Sequence, residues 1–379
     1  MNIEDINNFR NQIENGELKI NKNKNLQSLK FVSELNVRKL VIRNCLNIIL
    51  DLEDTLTELH IINCKLKQAN IKHLKSLELL ELRQNTNIKI DEISFLTNLK
   101  TVDLSDCALL HVDCLQELVN VQVLILNDNR GIDISGLQNM KKLKELYLAD
   151  CCLKDIHVLE NLPIEELDLS RNVRLNLDPI KHIVSLKILS IWGNQLKDIS
   201  FMKSLVNLVE LDISRNKKVD LTALSQLSNL KSLNLCFTGI YDLSILRKLV
   251  NLTYLDLSSN NLFDVSELDC LQQLEQINLE GNKIISFKAL ESNQNFQEFY
   301  IHEQLERTPE DIMYLNRLSI VKSSSFSSKT ACNQLSHIRK QYKQNIAKIF
   351  NLIEKSSLRQ VQFSEQIVAL FSSCVNNDQ

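Results

Sequence analysis

Along most of the chain, apolar residues recur in one fixed motif: a short run in which apolar and polar positions alternate, then a polar break. The run Leu186 to Asn194, LKILSIWGN, shows it in full, with Leu186, Leu189 and Ile191 followed by Asn194, or LxxLxLxxN. Strand side chains point to opposite faces in turn, so this alternation predicts a half-buried strand. One column of middle leucines runs Leu18, Leu40, Leu59, Leu80, Val102, Leu124, Leu146, Leu167, Leu189, Leu211, Leu233, Leu255, Ile277 and Phe299. Its members are 22 residues apart except for steps of 19, 21 and 21. About fourteen coils of one unit follow, and self-similarity at such a period predicts a solenoid whose strands stack into a parallel sheet. At about 4.8 Å per strand that sheet is roughly 65 Å long.

Two further columns accompany the strands. In LKDISFMKSL at 196–205, IYDLSILRKL at 240–249 and LFDVSELDCL at 262–271, Asp198, Asp242 and Asp264 stand where a helical turn begins. Asp is a strong N-cap because its carboxylate accepts orphan backbone N–H groups. Glu267, three residues after Asp264, predicts a capping box, and Asp178 before Pro179 predicts an N-cap with proline at the first helical position. The motif's last position reads Asn23, Cys45, Cys64, Asn85, Cys107, Asn129, Cys151, Asn172, Asn194, Asn216, Thr238, Asn260, Asn282 and Gln304. A buried amide there serves loop backbone groups of adjacent coils, and the four Cys read as small buried side chains.

At the start, Ile3, Ile6, Phe9 and Ile13 share one side of a helix, so residues 1–14 read as an N-terminal cap on a solenoid spanning 15–321. Thr308-Pro309-Glu310-Asp311 marks a helix start, and LNRLSIVKS at 315–323 a degenerate last strand that closes the far end. Residues 322–330, KSSSFSSKT, form a Ser-rich linker. In the tail, 331–379, Leu335, Ile338, Tyr342, Ile346, Ile349 and Ile353 step by 3 and 4 and predict an amphipathic helix of about 24 residues with a basic outer face. A second helix is expected from Leu358 to Phe371.

The repeat resembles the leucine-rich repeat family in its 22-residue class, over roughly residues 15–305. That resemblance implies an α/β solenoid with a curved parallel sheet on the concave side and short helical or 3-10 turns on the convex side. Cys is a common substitute for the ladder Asn in that family. The repeat is also similar to the leucine-rich repeat regulatory subunit of protein phosphatase 1, which holds the phosphatase on an acidic and aromatic concave surface. Bacterial internalins and several cytoskeletal or ciliary repeat proteins share the pattern. The Ser-rich linker, the basic tail and the single Trp depart from the phosphatase subunit.

Composition narrows the chemistry. The 379 residues are 44% hydrophobic with six Gly and three Pro, which fits a folded chain with a large core. The N-terminus, MNIEDINNFRNQIENGE, has no secretory apolar segment, and no apolar run nears the roughly 18 residues of a membrane span. A cytoplasmic or nuclear protein with ten reduced thiols is the expectation, and the sequon at Asn251-Leu252-Thr253 is then unused. No GxGxxG, GxxxxGK[ST], GxSxG, CxxC or HExxH occurs, so neither an enzyme nor a cofactor or metal site is expected. The net charge of −3 disfavours nucleic acid as a partner. From Lys329 onward, seven Lys or Arg face three acids, so the tail is +4 and the rest −7.

The residues one before, one after and three after each middle leucine should face the concave side. For the nine coils from Val102 to Ile277 these include eight carboxylates, Asp103, Glu145, Glu166, Asp168, Glu210, Asp212, Asp256 and Glu280, and no Lys or Arg. Among them lie Val123, Ile125, Tyr147, Ile188, Trp192 and Tyr254, with Phe237 at the rim. A merely solvated sheet explains the acids, whereas exposed aromatics ringed by acids have the composition of an interface anchor. The expected function is a non-catalytic scaffold that grips a basic or mixed protein surface through Trp192, Tyr147 and Tyr254, and resemblance adds a phosphatase catalytic subunit as a candidate partner. The alternative makes the basic tail the working part, docking on a filament, a membrane surface or another helix, with the solenoid as spacer.

Overall fold

The computed structural model describes residues 3–46, 48–301 and 321–323. Its helix α1 (Ile3–Arg10) covers the first coil: Ile6, Phe9 and Ile13 pack on the core, and the Phe9 ring stacks on Phe31 with centroids 4.9 Å apart. Fifteen strands then follow in chain order as one parallel sheet, from β1 (Glu17–Asn21) to β15 (Val321–Ser323). The register pairs Leu18 with Leu40, Leu40 with Leu59, and so on without a slip to Ile277 with Phe299. Phe299 in turn faces Val321, so the degenerate strand at the far end joins the sheet. The rest of the expected closure, 302–320, and the linker and tail, 324–379, lie outside the described residues.

The middle leucine and the residue two further on point inward and are almost all fully buried, for example Leu189, Ile191, Leu255 and Leu257. From the coil after Glu81 onward the returning side of each described coil is a single 3-10 turn, as at Ser200–Ser204 or Ser266–Cys270, whereas the coils after Arg43 and Ile62 return without one. The Asp column starts these turns, accepting the N–H two residues on: Asp198 from Ser200 at 3.0 Å, Asp242 from Ser244 at 2.9 Å, Asp264 from Ser266 at 2.9 Å. Two expectations need correction. Asn176, not Asp178, accepts the corresponding N–H (3.1 Å), and Asp178 is the first residue of its turn. Glu267 does not reach back to close a box; its carboxylate binds Arg247 at 2.9 Å.

The buried ladder is not uniform. Asn129 is fully buried, accepts the N–H groups of Cys107 (3.2 Å) and Leu109 (3.0 Å), and donates to the carbonyls of Leu104 and Leu126. Asn85, Asn172, Asn216 and Asn282 have the same fourfold arrangement, while Asn260 accepts from Thr238 and the adjacent Gly239. Cys107 and Cys151 instead donate Sγ–H to a carbonyl of the preceding coil, at 3.2 Å each.

The alternation follows two loop forms. In one, the left-handed residue comes directly after the ladder position, as at Ala108 and Cys152, and the next inward residue is Leu109 or Leu153. In the other it comes one residue later, as at Asn87, Gly131, Arg174 and Lys218, and the inward residue moves to Ile88, Ile132, Leu175 or Val219. After the second form, the backbone carbonyl of the next ladder residue takes the loop N–H (Asn87 to Cys107, 2.8 Å; Gly131 to Cys151, 2.6 Å), so no side-chain acceptor is needed and Cys suffices.

A second, exposed asparagine column runs along the edge before the strands, where Asn98, Asn120, Asn207, Asn229, Asn251 and Asn295 each donate to a carbonyl of the preceding coil at 2.7–3.0 Å. The sequon residue Asn251 therefore has its amide in structural use.

Candidate protein-binding face

The predicted residues do come together on the open face of the sheet, but the fold employs several of them. In the position just after the middle leucine, Asp103, Asp168, Asp212 and Asp256 each turn back to accept the N–H two residues on, from Ser105, Ser170, Ser214 and Ser258, at 2.8–2.9 Å. Such local side-chain to backbone bonds end a strand cleanly. All except half-buried Asp212 are buried. Burial pushes the Asp212 and Asp256 carboxyls up to about 6 and raises Asp168. Asp103 is pushed to about 6 by burial and by the charge of Glu81. Asp168, Asp212 and Asp256 stand on every second strand, about 10 Å apart at the usual strand spacing, and among the described residues none of the three forms an ion pair with Lys or Arg.

The aromatics differ in what they offer. Tyr147 is only 5% exposed, so it is not the free anchor expected. Its hydroxyl donates to Glu166 at 2.6 Å, with Glu145 at 3.2 Å, and its ring packs with Val123 and Ile125 in an apolar cluster separate from the main core. Trp192 is half-buried, with the Arg171 and Arg215 guanidiniums 5.6 and 5.9 Å from its ring centre. Each is a cation–π contact. The expected strip without cations therefore holds for the strand positions but not for the residue after them, where both arginines sit. Tyr254 is half-buried, with its phenol pKa raised by burial. Phe237 is exposed at the rim under Lys217, whose Nζ lies 4.2 Å from the ring centre. Glu210 is half-buried and Glu280 buried.

The first coils contribute charges to the same face that lay outside the coils counted from sequence. His60 is buried between Glu81, whose Oε2 is 2.7 Å from Nδ1, and Glu58, 3.5 Å from Nε2. Lys39 bridges Glu17 and Glu58 at 3.2 and 3.6 Å. Burial alone would lower the His60 pKa, but the hydrogen bonds to Glu58 and Glu81 outweigh it and raise it. This end of the face is a neutralised ionic cluster; the middle and far end carry Asp168, Asp212 and Asp256.

By fold, then, the chain is a leucine-rich repeat solenoid, an architecture that generally mediates protein–protein interaction. Residues 184–226 and 228–270 match the family described as Leucine Rich repeats (2 copies). Among solved structures the chain resembles an internalin (inlF) from Listeria monocytogenes at 24% identity and a TM-score of 0.64, over 86% of this chain and 89% of that one. It is also similar to a leucine-rich repeat protein from Leptospira interrogans, at 22% identity and a TM-score of 0.56 over 79% and 93%. A third similar structure is the functional domain of InlJ from Listeria monocytogenes, which includes a cysteine ladder (16%, TM-score 0.60, 81% and 72%). None of the curated proteins matches. Among the described residues no helix is long and apolar enough to cross a membrane, and no group of three or more His, Cys, Asp or Glu is arranged to hold a metal ion.

Proposed function

We propose that this protein is a non-catalytic intracellular scaffold whose concave face, from Tyr147 to Glu280, binds a protein segment carrying regularly spaced Lys or Arg. The supporting observation is the row Asp168, Asp212 and Asp256. Desolvating a carboxylate with no counter-ion is costly, and an arriving cation offsets that cost. Trp192, between its two arginines, and Tyr254 supply the apolar contact beside the acids. A phosphatase catalytic subunit is one partner this reading admits.

The test compares capture of the native partner by wild type, by Asp168→Asn, and by Trp192→Ala. Val206→Ser, outside the face, is the control. Loss of capture in the first two with retention in the control supports the reading. Equal capture by all four refutes it.

A further inference from the structure

Independently of the concave face, the flank of coils 11 to 13 carries an apolar stripe that the fold does not require. In loops of the first form, the residue eight after the middle leucine points to solvent, and in the earlier coils it is Lys67, Leu110, Lys154 and Lys197, with no two apolar residues in succession. The two loop forms alternate up to Leu211 and then stop alternating, and in the next three coils the inward residue keeps the earlier position, at Ile240, Leu262 and Ile284. Their outward residues are Tyr241, Phe263 and Ile285, which are 90%, 56% and 65% exposed. They are neighbours in space: the Ile285 N–H donates to the Phe263 carbonyl at 3.1 Å. Directly beside them runs the column of exposed turn-starting carboxylates, Asp242 and Asp264, with pKa values lowered by their serine hydrogen bonds. Lys283 lies with its Nζ 5.6 Å from the Phe263 ring centre.

We infer that this stripe is the seat of the chain's own basic segment, residues 335–353, laid as a helix along the solenoid axis. Three observations select this occupant. First, that segment has the matching composition: one apolar stripe, Ile338, Tyr342, Ile346 and Ile349, flanked on one side by Arg339 and Lys343. Second, the periods match. A helix advances about 5.4 Å per turn and the solenoid about 4.8 Å per coil, so successive turns meet successive coils, apolar on apolar and cation on Asp. Third, the segment reaches. The Ile285 coil is two strands from β15, about 10 Å, whereas the twelve residues from Ser323 to Leu335 span up to about 40 Å extended. On this inference the tail is held in cis rather than acting as a free docking arm.

The test uses the full chain with the photo-crosslinking residue p-benzoylphenylalanine in place of Phe263. Irradiation at low concentration is expected to join position 263 to a peptide within 335–353 in a product of monomer mass. Adducts of dimer mass, which would indicate a second copy, or adducts only elsewhere, overturn the inference. A second measurement is amide exchange of the triple variant Tyr241→Ser, Phe263→Ser, Ile285→Ser. All three residues are exposed, so the core stays intact, and exchange in 335–353 should speed up at least tenfold while the Leu189 coil is unchanged. Arg339→Glu with Lys343→Glu should do the same. Exchange in 335–353 that is already fast in wild type, or unaltered in the variants, refutes the inference.

Discussion

One substitution should have opposite effects at two ladder positions. Asn194 follows a loop of the second form, where Cys107 and Cys151 show that only a donor is needed. Its Nδ2 donates to the Leu169 carbonyl at 3.0 Å, the bond that Cys151 makes to Leu126. Its Oδ1, however, is buried without a partner. A buried carbonyl left unsatisfied costs about 1–3 kcal/mol. Asn194→Cys keeps the donor and removes that carbonyl, so it should stabilise by about 1–2 kcal/mol. Asn216 is the converse. Its Oδ1 accepts the N–H groups of Asn194 (3.0 Å) and Leu196 (3.1 Å), and Cys there would orphan both. Asn216→Cys should therefore cost about 2–5 kcal/mol. Urea unfolding reads both, as midpoint shifts of opposite sign at unchanged slope. If Asn194→Cys destabilises as Asn216→Cys does, the two-form account of the ladder is wrong.

Other consequences are more direct. A Cβ on Gly136 would lie 2.7 Å from the Val112 carbonyl oxygen and 2.8 Å from Asp113 Cα, backbone that cannot yield without parting two coils. Gly136→Ala should lower stability by about 1–3 kcal/mol in thermal unfolding. His60 has a raised folded pKa, so its contribution is complete below its unfolded pKa and fades as pH rises through the folded one. Exchange protection of the first coils should fall as pH rises above about 6.5, and His60→Ala should flatten that dependence. Asp168 has a raised folded pKa, so it costs stability once pH exceeds its unfolded value near 4; Asp168→Asn should raise the pH 7 midpoint, with the gain vanishing at about pH 3. With Asp212 and Asp256 titrating at about 6, partner capture should weaken between about pH 7.5 and 5.5.

The solenoid was legible because its demands repeat. Each middle leucine predicted from spacing meets its neighbour in the sheet, and a chance pattern would not hold register through fourteen strands. The errors came where two columns share residue types. Asp178 stands before a proline and looks like a cap, yet Asn176 occupies the position that Asp198 and Asp264 hold. The two loop forms were visible as a one-residue move of the next apolar position, from Leu109 to Ile132, but their effect on the ladder depends on which backbone group faces it. The burial of Tyr147 depends on Glu145 and Glu166 closing over it from its own and the next strand. Arg171 and Arg215 lie one residue past the counted positions, and only the turn after the strand brings them over Trp192.

The acids of the concave face show why composition alone could not separate fold from function. Asn234 and Asn278 occupy the same position as the four aspartates and make the same bond, to the N–H groups of Cys236 (3.0 Å) and Glu280 (3.1 Å). A neutral amide therefore meets the fold's requirement, and the charge is an addition. At Asp212 and Asp256 part of it is used, since the second oxygen takes the amide of Asn234 or Asn278 at 3.1 Å. Asn at those two sites would set two N–H donors face to face. Asp168 has no such amide beside it: its neighbour one strand on is Ser190, whose hydroxyl is bonded to Ser170 at 2.8 Å. The fold gains nothing from the Asp168 charge and loses free energy by burying it. A group that is costly to the free protein and satisfied by a cation belongs to the bound state, which makes Asp168, rather than the more conspicuous Trp192, the residue that best separates binding from folding.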